Sequence, residues 1–230
     1  MSAVIEIPTP DGAMPAHLWL PQSGSGPGIL LLQEIFGVSH YIRSRAADLA
    51  DLGYVVLAPE LYWRLEDAEI DESREDFLEQ ALQTAGRLDW EETVADAVAA
   101  LGALEERAEA TGPTAVMGFC FGGGLAFNVA AVTDVPVLVS YYGSALPNLL
   151  HLADQVDAAS LHIFGTADSY LTMDTVETVR AAVAGPDVEV HLHDGAGHAF
   201  DNPHPAFHHA EASAAAWRQT ADFLRRHLPV

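Results

Sequence analysis

The sequence predicts an α/β fold with one mostly parallel central sheet of about eight strands and helices on both faces. Short apolar runs bounded by turn residues alternate with helix-length segments whose apolar residues recur at helical spacing. A chain of 230 residues, half of them hydrophobic, can bury one large core, so we expect a single domain over residues 1–230. The predicted strands are Ala3–Ile7, Ala16–Leu20, Gly28–Gln33, Tyr54–Ala58, Thr114–Met117, Val135–Tyr142, Leu161–Phe164 and Val188–Leu192.

Helical periodicity occurs between most of these strands, in the alternation that is typical of a parallel sheet. The predicted helices are Ile42–Leu52, Trp90–Ala108, Leu125–Val132, Met173–Ala184 and Phe207–Leu228. The turn sequence Thr9-Pro10-Asp11-Gly12 joins the first two strands, which we expect to pair as an antiparallel hairpin. Together these features predict the α/β-hydrolase fold. The charged stretch Glu66–Glu79 is expected to form an exposed loop and helix beside the site.

The chain is strongly acidic, with a formal net charge of -23, and all ten of its basic residues are arginine. Such a charge repels polyanions, so we expect neither nucleic acid nor an anionic membrane as a partner. No apolar stretch reaches the roughly eighteen residues of a membrane span, and the first residues show no signal-peptide pattern. We therefore expect a cytoplasmic protein that is a monomer or a small homo-oligomer and acts on a small molecule.

The single cysteine, Cys120, lies in the run Gly118-Phe119-Cys120-Phe121-Gly122, a G-x-C-x-G pattern. This pattern is typical of a nucleophile elbow, a strained turn from a strand into a helix. Glycine is needed two residues to either side of the nucleophile because side chains there would collide with the backbone. A lone free cysteine is more often a small buried hydrophobe, but the two glycines favour a nucleophile here.

A thiol nucleophile needs a base, and the base needs an acid that fixes its tautomer. Asp168 follows the predicted strand Leu161–Phe164, and His198 follows the predicted strand Val188–Leu192. Loops at the carboxyl ends of parallel strands meet at one edge of the sheet. The order of nucleophile, acid and histidine along the chain is also the order used by α/β hydrolases.

Other acids and histidines compete for these roles. Asp194 and Asp201 lie closer to His198 in sequence, but neither follows a strand where the acid loop belongs. Three further histidines suggest a metal cluster, yet their spacing lacks a ligand pattern and exposed surface histidines explain them as well: His204, His208 and His209. We expect no metal and no cofactor.

Several more motifs occur in order from about Ile5 to the carboxyl terminus. They are Gln33-Glu34-Ile35-Phe36-Gly37, Ala58-Pro59-Glu60-Leu61-Tyr62, the cysteine elbow, Tyr141-Tyr142-Gly143, Asp168 and Gly197-His198-Ala199-Phe200. This set resembles the dienelactone hydrolase family. The resemblance implies that Cys120, His198 and Asp168 form a catalytic triad and that Glu34 is a further carboxylate beside the thiol.

A carboxylate at Glu34 would disfavour the Cys120 thiolate through like-charge repulsion. The thiol would then stay neutral, and protected from oxidation, until ligand binding moves Glu34 away. Alternatively, Glu34 only hydrogen-bonds the loop after its strand. The backbone N–H groups of Ile35 and Phe121 match the family's positions for an oxyanion hole, to which the helix starting near Phe121 adds its positive end.

The resemblance weakens where the substrate would bind. Family members that act on dienelactone hold its carboxylate with arginines, one of them four residues beyond the catalytic histidine. Here that residue is Asn202, and Ala199 replaces a hydroxyl residue, so we expect a substrate other than dienelactone. A second arginine would come from the segment between residues 62 and 90, where Arg64, Arg74 and Arg87 are available and Arg64 is the first choice for the pocket rim.

Aromatic residues near the strand ends are candidate pocket walls, although core packing explains them equally well: Phe36, Tyr62, Trp63 and Tyr142. The sequence therefore predicts a hydrolase that cleaves a small ester or lactone through an acyl-enzyme intermediate. Two alternatives stay open. One is a non-catalytic protein that binds a ligand or senses oxidants through Cys120, and the other is an esterase whose substrate is a larger thioester or peptide.

Overall fold

Eight strands form one sheet in the computed structural model, which describes residues 2–230. The strands are β1 (Ala3–Thr9), β2 (Gly12–Trp19), β3 (Gly26–Leu32), β4 (Val55–Pro59), β5 (Ala110–Phe119), β6 (Val137–Tyr141), β7 (Ala159–Gly165) and β8 (Val188–His193). Their order across the sheet is β1-β2-β4-β3-β5-β6-β7-β8. The predicted fold class is confirmed, and each predicted strand overlaps an observed one.

The amino-terminal hairpin has the expected antiparallel pairing. Its register runs from Ala3 opposite Leu18 to Thr9 opposite Gly12, which leaves Pro10 as part of a two-residue turn. Strand β2 also pairs antiparallel with β4, whereas all pairings from β4 to β8 are parallel. The hairpin therefore forms one edge of an otherwise parallel sheet.

Three of the parallel strands are buried along their whole length. Every residue of β3, β4 and β6 is buried, because helices cover both faces of a parallel sheet. Such strands appear in the sequence as continuous apolar runs, of which Ile29–Leu32 is an example. Polar residues stand at the carboxyl end of β3, where Gln33 and Glu34 follow it directly. That end of the sheet is where the candidate site lies.

Six helices pack around the sheet: α1 (His40–Asp51), α2 (Phe77–Ala85), α3 (Trp90–Glu105), α4 (Phe121–Val132), α5 (Met173–Ala182) and α6 (Ala210–His227). Helices α1 and α6 meet through Arg45, whose guanidinium lies 4.6 Å from the ring centre of Trp217. Helices α3 and α4 meet through a 2.9 Å hydrogen bond from the indole of Trp90 to Asn128. Within residues 2–230, no helix is long and apolar enough to cross a membrane.

Two helices differ from the sequence prediction. Helix α2 begins only at Phe77, near the end of the charged stretch, and its buried face consists of Phe77, Ala81 and Thr84. Helix α4 begins at Phe121 and not at Leu125, because the strained turn at Cys120 leads directly into it. Three consecutive glycines at 122–124 have low helix propensity, so apolar periodicity alone starts this helix only at Leu125, whereas the elbow motif indicates a start near Phe121.

Candidate active site

Cys120 occupies a strained turn between β5 and α4. Its backbone has φ 52° and ψ -113°, a conformation that costs a non-glycine residue on the order of 1–3 kcal/mol. A Cβ on Gly118 would lie 1.9 Å from the carbonyl oxygen of Gly122, and a Cβ on Gly122 would lie 2.4 Å from the carbonyl oxygen of Leu32. Both glycines are therefore required for the turn, as the motif predicts.

The thiol points to an imidazole, and the imidazole points to a carboxylate. His198 Nε2 lies 3.1 Å from Cys120 Sγ, and His198 Nδ1 lies 2.7 Å from Oδ2 of Asp168. Asp168 follows β7 and His198 follows β8, so adjacent parallel strands bring the two side chains together. The other carboxylate oxygen of Asp168 accepts hydrogen bonds from the backbone amides of Tyr170, at 2.8 Å, and Leu171, at 3.0 Å.

The charges in this line of three residues stabilise one another. Burial disfavours the imidazolium, but the hydrogen bonds and negative charges of Asp168 and Cys120 outweigh burial and raise the pKa of His198 to about 10. Burial also acts to raise the pKa of Asp168, but His198 and the two backbone amides outweigh it and lower that pKa. The arrangement thus favours an ionised carboxylate at Asp168 and an imidazolium at His198.

The competing residues have other partners. Asp194 accepts a 3.1 Å hydrogen bond from the Thr166 hydroxyl, and Asp201 forms an ion pair with Arg45. The His204 ring packs 4.7 Å from the ring of Phe77. Within residues 2–230, no three His, Cys, Asp or Glu side chains are grouped so that they could hold a metal ion.

Glu34 is completely buried at the end of β3 and faces the same cavity as Cys120. Its Oε2 accepts a 2.8 Å hydrogen bond from the side-chain amide of Asn202, and its Oε1 lies 3.5 Å from the Tyr142 hydroxyl. Burial raises the pKa of Glu34 to about 8, although the hydrogen bond from Asn202 opposes this. At neutral pH the group is therefore mainly a neutral acid, and not the carboxylate that the sequence suggests.

Asn202 and Tyr142 consequently lie behind Glu34 and do not line the cavity. The Asn202 side-chain oxygen accepts the backbone amide of His204 at 2.9 Å, so both ends of its amide have partners inside the protein. The sequence predicts that Asn202 and Tyr142 contact the substrate. The structure differs from this prediction, because both side chains are buried and hydrogen-bonded to protein groups.

A buried ion pair lies beyond Tyr142, and no pattern in the sequence indicates it. Arg45 donates to both carboxylate oxygens of Asp201 at 2.7 Å, and the Ser213 hydroxyl donates to Asp201 at 2.6 Å. The Tyr41 hydroxyl donates to Asp201 at 2.5 Å and lies 3.3 Å from the Tyr142 hydroxyl. A continuous series of polar contacts therefore joins the cavity to this pair.

The two candidate oxyanion donors have free amide hydrogens. Within residues 2–230, neither the backbone N–H of Ile35 nor that of Phe121 donates a hydrogen bond to a backbone acceptor in a turn, loop or cap. The carbonyl of Ile35 accepts a 2.7 Å hydrogen bond from the Tyr62 hydroxyl, which fixes the orientation of this loop. The carbonyl of Cys120 accepts the Ser144 amide at 3.0 Å, which braces the elbow from the opposite side.

A cavity of about 460 Å³ opens over Cys120. Six of the residues that the sequence indicated line it: Cys120, His198, Glu34, Ile35, Phe36 and Ala199. Four large apolar or aromatic residues that the sequence did not indicate also line it: Leu78, Leu82, Tyr170 and Phe207. Leu78 and Leu82 come from α2, so this helix forms a wall of the cavity.

The remaining candidates for substrate binding lie elsewhere. Arg64 forms ion pairs with Asp96 and, at 2.9 Å, with Asp11, and its guanidinium stacks on Trp63. Tyr62 and Trp63 line a separate groove on the other side of Phe36. Arg64 therefore does not form the rim of the cavity over Cys120, because two acidic side chains near the hairpin bind it instead.

This sheet order, with a strained nucleophile turn after β5 and its polar partners after β7 and β8, defines an α/β hydrolase. Residues 14–228 match the model of the Dienelactone hydrolase family. The chain belongs to this family, which confirms the resemblance seen in the sequence.

Known relatives cover nearly the whole chain. It is 34% identical over 221 residues to the carboxymethylenebutenolidase of Pseudomonas sp. (strain P51), covering 95% of this chain and 92% of that protein. It is 32% identical over 206 residues to the carboxymethylenebutenolidase of Pseudomonas putida, covering 89% and 87%. A solved structure of a putative dienelactone hydrolase from Klebsiella pneumoniae subsp. pneumoniae MGH 78578 has a TM-score of 0.87 and 26% identity, covering 98% of both chains.

Proposed function

We propose that this hydrolase cleaves a small ester or lactone through Cys120, His198 and Asp168, with an acyl-enzyme intermediate. The observation that supports this most strongly is the hydrogen-bonded line from the thiol through both ring nitrogens of His198 to Asp168. This line ends at a cavity of about 460 Å³, which is large enough for a small organic substrate.

In the first half of the reaction, His198 holds the thiol proton while the Cys120 sulfur attacks the carbonyl carbon. The carbonyl oxygen becomes an oxyanion, and the free amides of Ile35 and Phe121 are placed at the ends of β3 and β5 to receive it. Such donors are commonly worth about 3 kcal/mol each to the transition state. The intermediate then collapses: the carbon–oxygen bond of the ester breaks, and the leaving alkoxide takes the proton from His198.

In the second half, a thioester joins the acyl group to Cys120. His198 now accepts a proton from water, the resulting hydroxide attacks the thioester carbonyl, and the carbon–sulfur bond breaks. The products are a carboxylic acid and the Cys120 thiolate, which the His198 imidazolium stabilises again. Asp168 keeps the Nδ1 proton of His198 in place throughout, so that Nε2 remains the reactive nitrogen.

The test is hydrolysis of 4-nitrophenyl acetate by wild type, Cys120→Ala and His198→Ala, with detection of an acetylated Cys120 by intact mass. We expect kcat/KM to fall by at least about 10³-fold in both variants. The control is His151→Ala, which removes an exposed histidine outside the cavity and should leave kcat/KM within about twofold of wild type. Activity that survives in Cys120→Ala would reject this mechanism, and a wild type without turnover would favour the ligand-binding or oxidant-sensing alternative.

A further inference from the structure

The cavity walls indicate which esters can enter. We propose that the cavity over Cys120 selects uncharged esters with an apolar acyl arm, that Leu78, Leu82 and Phe207 bind this arm, and that substrates bearing a carboxylate are disfavoured. The inference rests on the proposed function, because it assigns the substrate class of the same site.

An apolar wall faces Cys120 across the cavity. Leu78 and Leu82 lie four residues apart on α2, so both project from one face of this helix. The Phe36 ring stacks on Phe207 at 5.9 Å and on Phe77 at 5.6 Å, which fixes the wall between α2 and the segment before α6. Leu82 remains 50% exposed. An apolar arm bound there would remove this leucine from water, which favours binding of the arm.

No permanently charged cation lies on the walls. The chain has no lysine, and none of its ten arginines is among the residues that line this cavity within residues 2–230. Arg45 and Arg64 already have acidic partners: Arg45 forms an ion pair with Asp201, and Arg64 forms ion pairs with Asp11 and Asp96. A substrate carboxylate that enters this cavity would therefore lose its hydration. It would find no charged, bidentate partner to offset the cost of desolvation.

The polar groups that do face the cavity are poor partners for an anion. Glu34 is itself an acid, and the hydroxyls of Ser144 and Ser169 carry no charge. His198 is positively charged only as part of its pair with Cys120 and Asp168. His209 Nδ1 accepts the backbone amide of Ala212 at 3.3 Å, so this nitrogen already has a partner within the protein. His208 is exposed at the mouth, where solvent and salt weaken its attraction for an anion.

The overall charge of the protein acts in the same direction. A formal net charge of -23 lowers the local concentration of anionic substrates and slows their arrival, especially at low ionic strength. This long-range effect is separate from the lack of a cation in the cavity. Salt weakens the first and leaves the second in place, so assays at two salt concentrations distinguish them.

The experiment compares 4-nitrophenyl hexanoate with the 4-nitrophenyl monoester of adipic acid, which carries a carboxylate in place of the terminal methyl group. The methyl ester of the second compound serves as an uncharged polar control. At pH 8 and about 0.5 M salt, we expect wild-type kcat/KM to favour hexanoate over the adipate monoester by at least about tenfold, with the methyl ester in between. Equal rates for hexanoate and the adipate monoester would overturn the inference while leaving the proposed function intact.

Leu82→Arg adds a cation to the wall and should reduce the preference for hexanoate at least about fivefold. The matched control, Leu52→Arg, changes a leucine of similar exposure that lies outside the cavity, and its preference should equal that of wild type. An unchanged preference in Leu82→Arg would show that α2 does not contact the acyl arm.

Binding is measured independently of turnover, so that failure of the two proposals can be told apart. N-phenylhexanamide and the monoanilide of adipic acid, both poor acyl donors, are tested for protection of Cys120 against iodoacetamide. Stronger protection by the uncharged amide supports the inference even if no ester is hydrolysed. Equal or stronger protection by the charged anilide overturns it.

Discussion

Glu34 and Asp201 are both buried carboxyl groups, yet their surroundings differ. Asp201 receives two hydrogen bonds from Arg45, at 2.7 Å each, and one from the Ser213 hydroxyl. Glu34 has only the neutral amide of Asn202 and a 3.5 Å contact with the Tyr142 hydroxyl. The main difference is the guanidinium of Arg45: Asp201 forms an ion pair with it, whereas Glu34 has no such partner and burial raises its pKa to about 8. Burial alone does not decide the charge of a carboxyl group; the available cation does.

The tyrosines between the two sites connect them through their hydroxyl groups. The Tyr41 hydroxyl donates to Asp201 at 2.5 Å and lies 3.3 Å from the Tyr142 hydroxyl. The Tyr142 hydroxyl donates to Oε1 of Glu34 at 3.5 Å. Tyr142 has one hydroxyl proton for two neighbouring acceptors, Tyr41 and Glu34, so a change at Tyr41 alters the hydrogen bond to Glu34.

The largest effect is expected from removing the cation. Arg45→Met leaves Asp201 buried without its charged partner, and we expect the free energy of unfolding to fall by about 3–5 kcal/mol. Urea unfolding monitored by fluorescence measures this. The matched control is Arg180→Met, which removes an exposed arginine whose nearest acid, Glu177, is 3.7 Å away, and it should change stability by less than about 0.5 kcal/mol. Similar losses in both variants would show that Arg45 contributes no more than a surface charge.

The second effect is a pH dependence at Glu34. Its pKa is about 8 in the folded protein and about 4.5 when unperturbed, so between these values the folded state binds the extra proton. Wild type therefore loses stability as pH rises from about 5 to 8, and Glu34→Gln lacks this loss. We expect the stability of Glu34→Gln relative to wild type to rise by about 3 kcal/mol between pH 5 and pH 8.

The control for this measurement is Glu105→Gln, which changes an exposed carboxylate at the end of α3 and should show a nearly constant difference from wild type. Thiol alkylation gives a second readout. Above pH 8 the ionised Glu34 disfavours the Cys120 thiolate, so iodoacetamide should react more slowly with wild type than with Glu34→Gln, and about equally below pH 7. Identical profiles across the whole range would contradict any electrostatic effect of Glu34 on the thiol.

The smallest effect tests the link through the tyrosines. Tyr41→Phe removes one hydrogen bond to Asp201, and we expect a loss of about 1 kcal/mol. In this variant the Tyr142 proton is free to bind Glu34, which favours the ionised acid. A double-mutant cycle with Glu34→Gln at pH 8 should therefore give a coupling energy of about 0.5–1 kcal/mol.

Tyr54→Phe is the matched control for this cycle, because it removes a 3.0 Å hydrogen bond to the Leu228 carbonyl, far along the chain from Glu34. It should destabilise the protein to a similar extent and show no coupling with Glu34→Gln. Coupling of the same size in both cycles would mean that the tyrosine series does not transmit the effect.

The sheet, and the line of contacts from Cys120 through His198 to Asp168, could be predicted because both follow from local patterns. Buried parallel strands appear as apolar runs, and Asp168 and His198 lie on the loops that follow the adjacent strands β7 and β8. Glycines at 118 and 122 indicated the elbow because no other residue fits there. These features need no knowledge of which distant residues meet.

Features that depend on distant contacts could not be predicted in this way. Arg45 and Asp201 are 156 residues apart, and nothing near either residue indicates the other. The charge of Glu34 depends on which groups surround it after folding. Arg64 does not lie at the predicted pocket rim, because Asp11 and Asp96, which are distant in sequence, bind it. A helix beside the site was expected from the charged stretch, but the sequence does not show which of its side chains reach the cavity, because Leu78 and Leu82 stand among charged and polar residues.

The position of the only thiol has a practical consequence. Cys120 lies 8% exposed at the cavity, and the chain has no second cysteine and no lysine side chain. A thiol reagent therefore modifies one atom of the protein, and amine-directed reagents leave every side chain unmodified. The mass increase of the intact chain after treatment with an activity-based probe would give the fraction of Cys120 that is modified. Neither proteolytic digestion nor the removal of other reactive residues by mutation would be needed.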